Sequence, residues 1–270
     1  MNTRLAFTSI ISILALTHTS AIAGISDFYV SSTSGKLFHV DSQTLQATEI
    51  DDLDGFFNAS TDIEYMGGGQ LFASNDRTIY RYDLNTGSQT IELDRDSEGI
   101  GGIIGVDGLS KTPDGNLHVR RSVIAPGIGL FYQGFEYNIN NGSYQSYGSF
   151  DIPDHHDYEI LSSSRMLTLH FGTLAFFNPD TGEIESRFSV GSPDGFKPIS
   201  ILNIDGGLML MSPDGDLHTL DLDSQNSTYY GHINGTGASY LYGATVPAPS
   251  IQSTLGTMLL ITTRRRRQKR

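Results

Sequence analysis

Residues 71–87 read LFASNDRTIYRYDLNTG, and this stretch has the pattern of a β-hairpin followed by a closing turn. An apolar run at 71–74 precedes a turn at 75–77, and residues 78–82 are rich in β-branched and aromatic side chains. Such short runs, bounded by Asn, Asp and Gly, are typical of strands. In the final DLNTG, at 83–87, we expect the Asp to cap the turn and the Gly to adopt the left-handed conformation.

The same pattern recurs along the chain. Related stretches occupy residues 28–45, 167–182 and 208–225, and a looser copy ends at 137–142. The closing turns lie near residues 45, 87, 142, 182 and 225, so they are 42, 55, 40 and 43 residues apart. A period of about 40–50 residues with four strands per unit is typical of β-propeller blades. The sequence therefore predicts an all-β propeller of five four-stranded blades.

The first unit, residues 28–50, shows only three strands, whereas the segment ASYLYGATV at 238–246 has no hairpin partner after it. Pairing of this last strand with the first blade would close the ring and remove exposed sheet edges. Six or seven blades would require an additional hairpin within 99–108. The longer third unit is attributed to an insertion around 123–129, between its second and third strands.

The N-terminus predicts a secretory signal peptide over residues 1–23. Arg4 precedes an apolar run at 5–16, and Ala-Ile-Ala at 21–23 provides a cleavage site before Gly24. The apolar run is too short for an ordinary membrane span, although an uncleaved anchor is the alternative.

The C-terminus has three parts. VPAPS at 246–250 is followed by a short apolar segment at 251–263 and then by RRRRQKR at 264–270. The apolar segment is shorter than the ~20 residues of a stable span, and the arginine-rich block favours the cytoplasmic side. This order predicts a transient membrane contact, with a basic tail that binds a partner as the alternative.

Residues 246–270 resemble the PEP-CTERM sorting signal of Gram-negative bacteria, in the VPAPS variant common in planctomycete proteins. Ala248 stands where the family has Glu. The resemblance implies export, processing of a tail at 247–270 by an exosortase, and association with the cell surface or an exopolysaccharide matrix. The mature propeller domain would then span residues 24–246.

The charge of the chain is unevenly distributed. Seven of its 17 basic residues lie in the two ends, so residues 24–246 carry 10 basic and 30 acidic side chains, a net charge of −20. Such a domain repels nucleic acid and suits cations, neutral ligands or a basic partner, although solubility alone also explains it. The chain has no Cys, which excludes disulfides and thiol chemistry.

Two features bear on cofactors. The turn DLNTG resembles the repeat of quinoprotein-type propellers, but those families use a Trp in each blade and this chain has none, so no quinone cofactor is predicted. Calcium is the metal that the sequence favours, because Asp94, Asp96 and Glu98 place oxygen ligands at alternate positions. A second acidic loop at 51–55 and the DHHD cluster at 154–157 are weaker metal candidates, and plain acidic loops are the alternative.

The first strand of each blade should line the central channel, and the polar residues on those strands form the candidate ligand site. A ring of carboxylates there would suit a cation or a sugar, whereas a water-filled, inert channel is the alternative. The predicted residues are Asp62, Glu64, Asp107, Asp157, Glu159, Asn203, Tyr240 and Tyr242.

These observations favour an exported, non-catalytic module that binds a glycan, a matrix component or a protein at the cell envelope. One alternative is a hydrolase or lyase that acts on a polysaccharide or lactone, with channel carboxylates as acid and base. The other is a structural surface component.

Overall fold

The computed structural model describes residues 25–52, 62–75, 78–94, 103–125, 129–147, 157–170, 172–190, 195–237 and 239–246. Within these ranges the chain forms strands and turns, and no helix there is long and apolar enough to cross a membrane. The predicted signal peptide at 1–23 and the sorting tail at 247–270 lie outside the described residues. Both therefore stay predictions.

The strands follow one another in groups of four, numbered in chain order. The first group is incomplete and contains β1 (Phe28–Ser32), β2 (Lys36–Asp41) and β3 (Gln46–Asp52). The second contains β4 (Asp62–Gly67), β5 (Gln70–Ser74), β6 (Thr78–Asp83) and β7 (Ser88–Asp94). The third contains β8 (Ile103–Lys111), β9 (Leu117–Ala125), β10 (Gly129–Tyr137) and β11 (Tyr144–Tyr147). The fourth contains β12 (Asp157–Ser162), β13 (Arg165–His170), β14 (Thr173–Phe177) and β15 (Ile184–Ser189). The fifth contains β16 (Ser200–Ile204), β17 (Gly207–Met211), β18 (Asp216–Asp221) and β19 (Asn226–His232), and β20 (Leu241–Thr245) ends the series.

These strands form five four-stranded antiparallel sheets, which are the five blades of a β-propeller. The innermost strands β4, β8, β12, β16 and β20 contact one another in turn around the central channel. Strand β20 completes blade one by pairing with β1, with Tyr29 opposite Thr245 and Val30 opposite Ala244. Both the blade number and the closure predicted from the sequence are confirmed.

The closing turns of all five blades share one capping device. In each turn an Asp or Asn accepts hydrogen bonds through its side-chain oxygen from two backbone amides, two and three residues further on. Asp83, for example, accepts from the amides of Asn85 at 2.8 Å and Thr86 at 3.2 Å. The capping residues are Asp41, Asp83, Asn138, Asn178 and Asp221.

The residue four positions after each capping residue adopts the left-handed conformation, which glycine tolerates best. In the middle three blades it is Gly, as Gly87 illustrates with a φ of 69°. In blades one and five the same position is held by Leu45, at 53°, and Gln225, at 58°. The turn geometry is thus retained where the sequence has lost its glycine.

Four of the five buried apolar clusters in the described part of the chain join residues of two neighbouring blades. The middle strands are covered by adjacent sheets on both faces, so β5, β13 and β17 are nearly continuous buried runs. One cluster joins blades two and three through Phe72, Leu109 and Phe135, among others. Outermost strands such as β15 are exposed along most of their length.

Blade three is longer than the others because its strands are longer. Strands β8, β9 and β10 each contain nine residues, and β9 pairs with β10 through Ala125 and Gly129. The expected insertion at 123–129 is therefore mostly regular sheet, with only residues 126–128 outside the described part. Additional blades would have required a hairpin within 99–108, but residues 103–108 belong to β8, and residues 99–102 lie outside the described part.

Candidate functional site

The predicted channel residues lie on or beside the innermost strands. Asp62 and Glu64 are on β4, Asp157 and Glu159 on β12, and Asn203 on β16. Asp107 is on β8, but its side chain lies outside the described part. Tyr242 is on β20 and is half-buried, whereas Tyr240 precedes β20 and is 61% exposed.

Two of the four described carboxylates link blades. Asp62 of blade two accepts a hydrogen bond from the backbone amide of Leu109 in blade three, at 2.7 Å. Asp157 of blade four accepts from the amide of Ile201 in blade five at 2.6 Å, and from the Ser200 hydroxyl at 2.8 Å. Both carboxyls are almost fully buried. They satisfy amides at the free edge of an innermost strand, which sheet pairing leaves without a partner.

Hydroxyl groups do the same at two other junctions. Ser110 of blade three accepts from the amide of Ile160 in blade four at 3.1 Å, and Thr245 of blade one accepts from the amide of Tyr65 in blade two at 2.9 Å. At the fifth junction the amide of Leu241 donates to the carbonyl of Pro213. Ser110 and Thr245 were not among the predicted site residues, because a hydroxyl on a strand carries no distinguishing sequence signal.

The other two carboxylates, Glu64 and Glu159, are half-buried, and Glu159 is close enough for its charge to act on Glu64. Burial, followed by the charge of Glu159, raises the pKa of Glu64 well above its usual range, and Lys111 opposes this. Burial also raises the pKa of Glu159 to about 8, although Asn203 donates a hydrogen bond to it at 3.2 Å.

The inter-blade carboxyls shift in the same direction. Burial raises the pKa of Asp157 to about 7, against the opposing effect of its hydrogen bonds and of Arg120. Burial and the nearby charge of Asp157 raise the pKa of Asp62 well above its usual range. All four described channel carboxyls therefore have pKa values above their usual range, with burial as the main cause.

A buried polar cluster lies beside these carboxyls, between blades three and four. The Tyr158 hydroxyl lies 2.8 Å from Nδ1 of His118 and within 3.2 Å of the carbonyls of Gly108 and His118. Burial lowers the pKa of His118 to about 3, so its imidazole is neutral. The cluster fixes the Tyr158 ring between blades, and a Cβ placed on Gly108 would lie 2.7 Å from that ring.

The metal predictions are largely untested. Asp96, Glu98 and residues 154–156 lie outside the described residues, and the Asp94 side chain does too. Among the residues that the structure does describe, no group of three or more His, Asp or Glu side chains is arranged to hold a metal ion.

A second candidate site lies on blade five. A cavity of about 590 Å³ lies between the segment that precedes β16, the β17–β18 hairpin and the outer strand β19. Its aromatic side is built from Phe196, stacked on His218 at a ring separation of 3.7 Å, and from Tyr229, whose ring lies edge-on to His218 at 5.5 Å. Tyr229 is 57% exposed.

The polar side of this blade-five pocket contains both charge signs. Lys197 and Asp214 are exposed, while Asp216 is paired with His232 at 2.8 Å. In the sequence, Pro-Asp-Gly at 213–215 has only the pattern of a turn. The pocket was missed because its lining comes from three separate segments that only the sheet brings together. The residues with functional groups are Phe196, Lys197, Asp214, Asp216, His218 and Tyr229.

Comparison with known proteins supports the fold. No family model and no curated protein matches the sequence. The chain is similar in structure to a protein of unknown function from Bacteroides caccae, with a TM-score of 0.50 and 12% identity over 80% of this chain and 77% of that chain. In total 782 solved chains match. Similarity at this identity shows a shared propeller fold, and a fold alone does not define a function.

Proposed function

We propose that this protein is an exported, non-catalytic binding module that holds a glycan, a matrix component or a protein at the cell envelope. The observation that carries the proposal is the use of the channel carboxylates. Asp62 and Asp157 accept hydrogen bonds from backbone amides of the next blade. These buried carboxyls therefore serve to join neighbouring blades. The blade-five pocket, in contrast, has a described lining that comes from blade five alone and includes aromatic and charged side chains.

Glu64 and Glu159 support the alternative of a hydrolase or lyase, because perturbed carboxyls in a channel are candidates for acid and base. Acid–base catalysis by a carboxyl pair requires one protonated and one ionised member, with pKa values moved apart. Here burial raises both pKa values, and the charge of Glu159 raises that of Glu64 further. This pair is therefore the group through which a hydrolase or lyase would act, and the polysaccharide experiment below distinguishes cleavage from binding alone.

The cellular location is proposed from the sequence. The secretory segment at 1–23 and the PEP-CTERM-like tail at 247–270 support export and handling by an exosortase. The net charge of −20 over residues 24–246 argues against nucleic acid as a partner. It leaves neutral glycans and basic proteins as suitable ligands.

The test is incubation of the purified protein with a panel of bacterial and algal polysaccharides. Both the retained and the soluble carbohydrate are then sized by mass spectrometry. Retention of intact carbohydrate is the expected result. Shortened or unsaturated fragments would contradict the proposal and identify the Glu64–Glu159 pair as the first group to mutate.

A third outcome would support the alternative of a structural surface component. If no carbohydrate is retained and the purified protein assembles into ordered particles as its concentration rises, the protein is a surface component and not a receptor for a glycan. Analytical ultracentrifugation over a concentration series measures this.

A further inference from the structure

We infer that the blade-five pocket is a binding site for a neutral oligosaccharide, with Tyr229 as the surface on which a sugar ring stacks. The inference rests on the proposed binding function and specifies its site and its ligand class. The pocket is defined by Phe196, Lys197, Asp214, Asp216, His218 and Tyr229.

The aromatic side of the pocket fits the apolar face of a sugar. The π face of an aromatic ring is electron-rich, and the axial C–H bonds of a pyranose present weakly positive hydrogens to it. Tyr229 is held by its contact with His218, whose ring lies at 80° to it, and His218 is fixed in turn by stacking on Phe196 at an interplanar angle of 17°. A ring that is 57% exposed yet anchored in this way is a preorganised stacking surface.

The polar side fits hydroxyl groups. A sugar hydroxyl both donates and accepts, so it pairs equally with carboxylates and with an ammonium group. Asp214 and Asp216 provide acceptors, and Lys197 provides donors. The Asp216 carboxyl is oriented by its contact with His232 at 2.8 Å, and the Asp216 backbone amide donates a hydrogen bond to the Ser212 hydroxyl at 3.0 Å.

The mixture of charges argues against an ionic ligand. Two carboxylates would repel an acidic sugar, whereas Lys197 would oppose a simple cation placed over the rings. The surrounding domain, with its net charge of −20, adds to the repulsion of anionic polymers.

The size of the pocket argues against a folded protein as the ligand. A volume of about 590 Å³ is within the ~300–1,000 Å³ of small-molecule sites. Stable protein interfaces bury roughly 1,200–2,000 Å² and are much flatter. A short stretch of a carbohydrate chain, with its remainder outside the pocket, matches both the volume and the exposed position of Asp214 and Lys197.

The experiment is isothermal titration calorimetry of the purified protein with neutral oligosaccharides of glucose, mannose and galactose, and with oligomers of uronic acids. Tyr229→Ala and Asp214→Asn are the test variants. Tyr144→Ala is the matched control, because Tyr144 is also an exposed tyrosine on an outermost strand, in blade three. Circular dichroism confirms that each variant is folded.

We expect at least one neutral oligosaccharide to bind, Tyr229→Ala to weaken it by about tenfold or more, and Tyr144→Ala to leave its affinity unchanged. Binding that survives both test variants would overturn the assigned site while leaving the proposed function intact. Preference for uronic acid oligomers would overturn the neutral ligand class. If none of the oligosaccharides binds at millimolar concentration, the inference fails, and the polysaccharide panel decides separately whether the proposed function stands.

Discussion

Replacing Asp157 by Asn should remove part of the pH dependence of the stability of the protein. The Asp157 carboxyl is buried at the junction of blades four and five, where it accepts from Ile201, Ser200 and Tyr158. Burial raises its pKa to about 7, from the usual 3.8. The folded protein therefore retains a proton there over a pH range in which the unfolded chain has lost it.

The sign and the size of the effect follow from proton linkage. Between the unfolded and the folded pKa the folded state binds more protons, so the free energy of unfolding falls as the pH rises through this window. Each pKa unit corresponds to about 1.4 kcal/mol. Between pH 5 and pH 8 the Asp157 carboxyl should thus contribute a loss of about 3 kcal/mol, as an order of magnitude.

The assay is urea unfolding at both pH values, followed by far-ultraviolet circular dichroism because the chain has no Trp. Asp157→Asn keeps an oxygen for the Ile201 amide but cannot ionise, so its stability should fall by about 3 kcal/mol less than that of the wild type between pH 5 and pH 8. Ser200→Ala is the control, since it removes a hydrogen bond and keeps the ionisable carboxyl. Its pH dependence should persist.

One result would refute the reasoning. If Asp157→Asn and the wild type lose the same amount of stability between pH 5 and pH 8, the Asp157 carboxyl of the folded protein has the same charge at both pH values. The nearby Arg120 would then hold Asp157 ionised, as the charge of Arg120 already tends to do.

Three other substitutions test the turns and the blade junctions by chemical denaturation. Gln225→Gly should stabilise the protein by about 0.5 kcal/mol, because Gln225 is held at a φ of 58°; no change or a loss would mean that the side chain offsets the strain. Gly108→Ala should cost about 1–3 kcal/mol, since the new Cβ would lie 2.7 Å from the Tyr158 ring, and a neutral outcome would show that the ring moves freely. Ser110→Ala should cost about 1–3 kcal/mol by leaving the Ile160 amide without its acceptor; Ser186→Ala, on the exposed strand β15, is the control and should cost much less.

The repeat made the fold predictable because each blade is a local unit. Its hairpins and its capped turn are encoded within about 45 residues, as Asp83 and Gly87 show. The closing strand was also predictable, since 238–246 had no local partner. The turns of blades one and five have Leu45 and Gln225 where the other three have glycine. A search for glycine alone would therefore have missed two of the five turns.

The candidate sites were less predictable because they depend on how blades align with each other. The channel carboxylates could be placed on innermost strands, but their partners could not. Whether Asp62 meets Leu109 or an ion depends on the relative height of two blades, which no local pattern encodes. The blade-five pocket combines Phe196, Asp214 and Tyr229, which are far apart in sequence and carry no common motif.

The most direct test of the binding account is a crystal structure of the protein with the oligosaccharide that it retains. The account predicts carbohydrate density in the blade-five pocket, with a sugar ring stacked on Tyr229 and hydroxyls near Asp214. Density in the central channel between Glu64 and Glu159 would contradict it, and would return those two carboxyls to the centre of the functional question.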